Sequence, residues 1–404
     1  MTAAADLRSV DVANIYVDDT IVGHLRRISS DTTEFTYASD TPGRRTRAQS
    51  VSWSLTNGAP VIATGGAVPA FFAGLLPEGI RLGSVVAATK TSADDHLTLL
   101  LAIGNDTIGN VRIVPEGETP TEPSAFFTPG EDNDFQAAFD RIAGTSDNDP
   151  VGISGVQPKA SGAMQSTPTR SASGPAILKL TPPNRFPQLV ENEYFFMNMA
   201  RRCGIRVPEI QLFRDPQGVS ALLVHRFDRS DGRRRAQEDA CQIAGRYPAS
   251  KYRMKLESVL TSLGEAVARG GGSRPAALLE LLRTVAFSAA IGNGDLHAKN
   301  LSLYEADGFW QPTPAYDLLS TQPYFKWKDP MALPLYGRVN RLRRGDLVGA
   351  GERLGLRTRA IDRMLDEVVA GILMTADHVD EIGFSDQVTE LLHRDLQTRT
   401  ALLS

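Results

Sequence analysis

The stretch that most constrains this chain runs from Pro275 to Asn300. Pro275–Ile291 is apolar nearly all the way round, without the polar stripe of a surface helix. Such a helix must be enclosed by other elements, so the chain needs a helical core around it. Directly after it comes Gly292-Asn-Gly-Asp-Leu-His-Ala-Lys-Asn300, a run rich in carboxylate, amide, imidazole and ammonium groups. A loop leaving a buried helix holds such groups in fixed positions. At 404 residues the chain is long enough for two or three folded units. With 42% hydrophobic and 22% charged residues, it is not a disordered, collagenous or coiled-coil chain. A net charge of −4 excludes a generally basic nucleic-acid coat and leaves room for a local basic face.

Composition divides the chain. Residues 1–116 read as mixed strand and helix. Ile15–Leu25 has a polar Asp18-Asp19 centre between apolar arms, a hairpin signal. Glu34–Ala38, Val51–Leu55 and Val111–Val114 read as strands, Pro69–Gly74 as a short helix and His96–Ile103 as a buried one. Residues 117–150 are turn-rich and polar, a linker with a short helix at Phe135–Ile142. Residues 151–236 are strand-rich: Ile177–Leu180 is a strand, and Pro216-Gln-Gly218 joins two more into a hairpin. Between them Glu191–Cys203 reads as a helix stopped by Gly204 and Pro208. Residues 237–404 are mostly helical, and Ile361, Met364, Leu365, Val368, Val369 and Ile372 form a packing face. Cys203 and Cys241 belong to no metal-ligand pattern and read as reduced, buried thiols of a cytoplasmic protein. No signal peptide is visible, and no apolar run reaches the ~20 residues that span a bilayer.

Four elements carry chemistry. Asp295 precedes Asn300 by five positions, the spacing of a protein-kinase catalytic loop. Phosphoryl transfer needs a carboxylate at the attacking oxygen and a neutral oxygen ligand for the metal. The competing reading is a polar turn with an Asx cap. His297 and Lys299 lie in the same loop and join the catalytic candidates, although a histidine bonded to backbone is the commoner case. The second element is Asp317, which follows a strand-like stretch, as a kinase's metal-binding Asp does; the alternative is a helix N-cap. Third, Lys179 faces opposite to Leu178 and Leu180 on its strand and is a phosphate-contact candidate, with Glu193 as its ion-pair partner. An ordinary solvent-side lysine and a helix-start carboxylate are the alternatives. Fourth, Gly152-Ile-Ser-Gly155-Val-Gln-Pro-Lys159 is a glycine-containing loop able to cover phosphates with backbone N–H groups, and is not a Walker A motif.

Together these elements resemble the HipA family of serine/threonine kinase toxins. The likeness extends to Phe71–Glu78, Ile103–Gly109, Ser154–Lys159, Asn192–Tyr194, Val224-His-Arg-Phe-Asp-Arg229, Gln237–Asp239 and Tyr316-Asp317, in order and spacing. The resemblance implies an α+β, two-lobed protein-kinase-like fold with an extra N-terminal α/β subdomain and an all-helical C-terminal lobe. It implies ATP and Mg2+ as cofactors, Asp295 as the catalytic aspartate, and Asn300 and Asp317 as metal ligands. Lys179 would contact the phosphates, with Gln157 and Lys159 in the phosphate loop. Val224, His225 and Phe227 would border the adenine, held through backbone groups. Some members autophosphorylate a serine two residues before the position of Ser154. This chain has Gly152 there, so either Ser154 takes over the role or self-inactivation is absent.

The same resemblance implies a HipB-like helix-turn-helix antitoxin, operator DNA reached mainly through it, and an aminoacyl-tRNA synthetase as substrate. Arg233–Arg235 and Arg341–Arg344 are basic clusters able to face DNA, or simply solvated charge. Two alternatives stand beside this reading. The Gly-Asp-Leu-His wording also resembles small-molecule kinases of the aminoglycoside and choline type. A catalytically silent co-repressor scaffold is the other.

Overall fold

The computed structural model describes residues 6–38, 51–55, 59–122, 134–143, 164–171, 174–182 and 186–404. The N-terminal unit is built on an antiparallel sheet of β1 (Val12–Val17), β2 (Thr20–Ser29), β3 (Thr32–Tyr37), β4 (Val61–Thr64) and β5 (Val111–Pro115), in the order β4-β3-β2-β1-β5. The β1–β2 hairpin turns at Asp18, whose φ of 52° is the left-handed geometry that aspartate tolerates. Helices α1 (Ala70–Leu75), α2 (Gly79–Thr89) and α3 (His96–Ile103) follow. Phe71, Phe72, Leu97 and Leu100 seal one sheet face with Ile15, Leu25 and Phe35. Two readings need correction here. Val51–Leu55 is not a strand, because Glu238 claims its backbone and side chains: Ser52 Oγ donates to Glu238 Oε2 (2.7 Å) and the Trp53 N–H to Oε1 (2.9 Å). Helix α2 went unread because it buries no residue fully and so carries no apolar stripe.

Helix α4 (Phe135–Ala143) leads to the second sheet, of β6 (Gln165–Ser171), β7 (Gly174–Leu180), β8 (Ile210–Arg214) and β9 (Ser220–His225), in the order β6-β7-β9-β8. Alternation along β9 sets its two faces. Ala221 and Leu223 pack with Phe135 and Phe139 of α4, whereas Leu222 and Val224 pack with α5 (Leu189–Arg202). Lys179 pairs with Leu222 across β7 and β9, and cross-strand partners share a face. Register therefore turns Lys179 toward α5 and away from solvent.

After the small hairpin of β10 (Arg229–Ser230) and β11 (Arg233–Arg234), the C-terminal lobe is not all-helical. A sheet of β12 (Gln237–Asp239), β13 (Ser302–Ala306) and β14 (Phe309–Pro312) stands beside the helices. Its strands are too short to carry a periodic pattern of their own. The helices are α6 (Ala240–Ile243), α7 (Leu256–Arg269), α8 (Arg274–Ala290), α9 (Arg344–Arg353), α10 (Thr358–Leu373) and α11 (Asp386–Ala401). Every residue of α8 from Thr284 to Ala290 is buried, as its all-round apolar character requires. The chain is an α+β, two-lobed protein with an additional N-terminal sheet unit.

Candidate functional site

Helix α8 delivers the polar loop into a tight framework. Gly292 takes φ +67°, and a Cβ there would lie 2.6 Å from the Gln322 side chain. Gln322 Nε2 donates to the Gly292 carbonyl (3.0 Å), and the Gly294 N–H donates to Thr321 Oγ1 (2.9 Å), which in turn donates to Asp329 (2.6 Å). Inside the loop the Asp295 N–H donates to Asn293 Oδ1 (2.9 Å), and Asn300 Nδ2 donates to the Asp295 carbonyl (3.0 Å). Asp295 and Asn300 are thus tied across the five-residue spacing seen in the sequence. Asp295 is fully buried, and the Tyr252 hydroxyl donates to its Oδ1 at 2.7 Å.

The second sheet and α5 bring in the other groups. Lys179 Nζ donates to Glu193 Oε1 at 2.6 Å and also to Asp317 Oδ1. Burial works against the ammonium, but the Asp317 and Glu193 carboxylates outweigh it and raise its pKa. Asp317 is held below the ordinary carboxylate value: burial would raise it, and Lys179 more than reverses that. Glu193, wholly enclosed, is pushed up by burial against the pull of Lys179. The segment at Asp317 is not a helix start. Asp317 itself has φ 54°, and the Ser320 backbone exchanges two hydrogen bonds with Asn192, one residue before Glu193 on α5 (2.9 and 3.0 Å). One helix therefore anchors both the lysine and the aspartate segment.

Some of these residues border a cleft of about 350 Å³. Lys179, Asn300, Asp317 and His297 line it from the lobes; Val224, His225 and Phe227 line it at the connecting strand. Among the described residues, the Phe227 N–H donates to no partner and its C=O accepts from none, and the His225 Nε2 is buried without one. The Phe227 ring stacks on Tyr316 at 6.0 Å. His297 is kept neutral by burial, and among the described residues its Nδ1 has no partner. Lys299 is engaged as a clamp: its ammonium donates to the Gly74 carbonyl (2.8 Å) and pairs with Asp239 (3.3 Å) and Glu78 (3.7 Å). Ser154, Gln157 and Lys159 lie outside the described residues.

A divalent cation has a suitable donor set here. Asn300 uses its Nδ2 on the loop and Asp317 its Oδ1 on Lys179; both residues line the cleft, and among the described residues Asn300 Oδ1 and Asp317 Oδ2 remain uncommitted. Mg2+ prefers oxygen ligands, usually one or two from the protein with water and phosphate completing the shell. The pair matches that habit. Among the described residues there is no cluster of three or more His, Cys, Asp or Glu side chains arranged for a metal.

Several residues of the site carried no sequence signal. Tyr252, Lys251 and Asp329 stand in no motif, and Glu78 and Asp106 stood in quoted motifs without a role. The segments Ile103–Gly109 and Val224–Arg229 prove to be two halves of one buried ion network. Arg226 grips Asp228 in a fork (2.9 and 2.7 Å) and reaches Asp106 (2.8 Å); Arg229 binds Asp228 (2.8 Å) and Asp106 (3.0 Å). The Gly109 N–H completes Asp228 at 2.9 Å. Arg81 of α2 faces the cleft near this network, among the described residues without a hydrogen bond or ion pair, and burial pushes it down to about 10. In the basic clusters, Arg234 and Arg344 are spent on internal acids, whereas Arg233, Arg341 and Arg343 are exposed. Among the described residues no helix is long and apolar enough to cross a membrane.

Comparison with known proteins agrees with this architecture. A HipA N-terminal domain model matches residues 13–114, and a HipA-like C-terminal domain model matches residues 151–376. The inferred kinase Y4mE of Sinorhizobium fredii is 31% identical over 334 residues, covering 75% of this chain and 78% of its own. The serine/threonine-protein kinase toxin HipA of Shewanella oneidensis is 25% identical over 355 residues, 79% of this chain and 80% of its own. A chain in the solved complex of Shewanella oneidensis MR-1 HipA, HipB and operator DNA superposes with a TM-score of 0.72, covering 96% of both chains at 22% identity. That last likeness is one of fold.

Proposed function

This chain belongs to the HipA family of kinases, and from that premise we propose that it is an ATP- and Mg2+-dependent protein serine/threonine kinase. The observation that carries the reading is the convergence of Lys179 and Asp317 on the cleft that Asn300 lines, with the enclosed Glu193 holding Lys179 from behind. A catalytically silent scaffold has no reason to keep a buried, net-anionic cluster of this kind, because burying charge is costly unless it is used or paired. In this reading residues 151–236 hold the nucleotide. Phe227 offers its backbone N–H and C=O to the adenine edge, and Val224 and His225 wall the base. Lys179, oriented by Glu193, engages the phosphates, with Gln157 and Lys159 contributing from earlier in the chain. Asn300 and Asp317 would hold Mg2+, which screens phosphate charge when bound. Asp295 accepts the proton of the acceptor hydroxyl, and the buried His297 and the Lys299 clamp keep its loop in place.

The biological setting follows by the same reading. The chain acts as the toxin of a HipBA-like pair, checked by a HipB-like antitoxin that carries it to operator DNA. Its protein substrate is an aminoacyl-tRNA synthetase, and Ser154 is the site of autophosphorylation. Support comes from the Shewanella relatives, whose names carry the toxin activity and the HipB–DNA partnership. The N-terminal match argues against a small-molecule kinase. The test is incubation of the full chain with labelled ATP, Mg2+ and a bacterial lysate. One labelled synthetase band is expected, lost in Asp295→Asn and Asp317→Asn. Labelling retained in either variant refutes the residue roles, and labelled metabolites without labelled protein refute the substrate class.

A further inference from the structure

A carboxylate that takes a proton from a hydroxyl needs that hydroxyl within about 2.6–3.2 Å. At Asp295 such a position is already filled. The Tyr252 hydroxyl sits 2.7 Å from Oδ1. Asp295 is fully buried and does not line the cleft, whereas Tyr252 does. Tyr252 thus stands between the aspartate and the space from which an acceptor must come.

Three contacts hold it there. The Ala298 N–H donates to the Lys251 carbonyl at 3.2 Å, strapping this segment onto the loop. The Tyr252 ring meets the His297 ring edge-on at 5.1 Å. The Lys251 ammonium lies 5.2 Å from the Tyr252 ring centre and pairs with Glu78, the residue just before α2 in the N-terminal unit. The strap is therefore anchored at one end to the loop and at the other to a different unit of the protein. The Lys251–Glu78 pair is an ion pair between two side chains, the kind of contact that parts without unfolding a helix or strand.

We propose that the Tyr252 hydroxyl occupies the acceptor subsite, and that a serine or threonine hydroxyl of a protein reaches Asp295 by displacing it. This rests on the kinase reading above. Once seated, the acceptor oxygen bonds to the γ-phosphorus as the bond to the bridging oxygen breaks; its proton passes to Asp295 and ADP leaves. Water is the simplest acceptor, and without protein substrate Tyr252 keeps it out.

The experiment is ADP release by the full chain with ATP and Mg2+ and no protein acceptor, beside binding of a non-hydrolysable ATP analogue. Tyr252→Phe keeps the ring and vacates only the hydroxyl position. Since a hydrogen bond to a charged group is the contact removed, ADP release rises on the order of ten-fold, with analogue affinity unchanged. A tyrosine that merely supports the fold would instead lower the rate together with the melting temperature. Lys251→Met, which cuts the strap's ion pair and leaves the Glu78–Lys299 pair in place, raises the rate by a smaller factor and decides the matter if Tyr252→Phe does not fold. A rate equal to or below wild type with the analogue still bound overturns the proposal and leaves the kinase reading intact. A wild-type chain that binds no analogue in Mg2+ overturns both.

Discussion

The ion network between Ile103–Gly109 and Val224–Arg229 yields the most quantitative prediction. Asp228 is 3% exposed and receives Arg226, Arg229 and the Gly109 N–H. Burial alone would raise its carboxyl. The two guanidinium groups and the backbone donor more than reverse this and hold it at about 2, against 3.8 when free. At about 1.4 kcal/mol per pH unit, that difference is worth roughly 2–3 kcal/mol of stability. Because the folded value is the lower one, this contribution is complete above pH 4 and is lost as pH falls from there through 2. Asp228→Asn removes the charge at every pH and leaves Arg226 and Arg229 buried with only Asp106 between them, so the cost at neutral pH reaches about 3–5 kcal/mol. Trp53 of the N-terminal unit and Trp310 of β14 meet at 5.4 Å, so their fluorescence reports on the joint between the N-terminal unit and the rest. With a urea slope of about 1–3 kcal/mol/M, a loss of 3 kcal/mol lowers the midpoint of that transition by about 1–3 M. The acid sensitivity between pH 4 and 2 should shrink in the variant as well. A midpoint unmoved at pH 7, or an unchanged acid limb, would refute the view that the Asp228 charge joins the two units.

Glu193→Gln removes half of the counter-charge on a buried ammonium; it should weaken binding of an ATP analogue at least ten-fold in calorimetry, and unchanged affinity would contradict the role given to Lys179. Lys179→Met leaves two carboxylates facing each other, which should raise the pH at which Glu193 titrates; tight analogue binding at neutral pH would count against the proposed phosphate contact. At Gly294, an added Cβ would meet the Asp329 carboxylate and lie 2.8 Å from the Pro330 carbonyl. Gly294→Ala should therefore displace the Asp295 loop, cutting turnover by an order of magnitude with a fall in melting temperature, and a fully active, equally stable variant would show the loop to be looser than its contacts imply.

Much of this protein is written locally. The buried helix α8, the Pro216–Gly218 hairpin, the helix carrying Glu193 and the Asp295–Asn300 spacing are set by neighbours a few residues apart, so periodicity and turn chemistry suffice to read them. The inward turn of Lys179 is nearly local too, since alternation with Leu178 and Leu180 leaves two faces, and pairing with Leu222 selects the buried one. What periodicity misses is set by partners distant along the chain. Val51–Leu55 has the composition of a strand, but Glu238 takes the hydrogen bonds that a ladder would need. Helix α2 and the outer strands of the third sheet, β12 and β14, are too weakly patterned to be read without the surfaces they pack against, whereas β13 shows as a strand-like stretch. Tyr252 is an ordinary tyrosine until the fold sets it on Asp295, 43 positions away. Asp106 and Asp228, 122 positions apart, have no visible partner until folding brings both onto Arg226 and buries Asp228. The sequence alone determined which residues were capable of chemistry and on which elements they lie. Tertiary structure alone decided which were paired, covered or left facing the cleft, because the energy of a charged or polar group depends on what surrounds it in space.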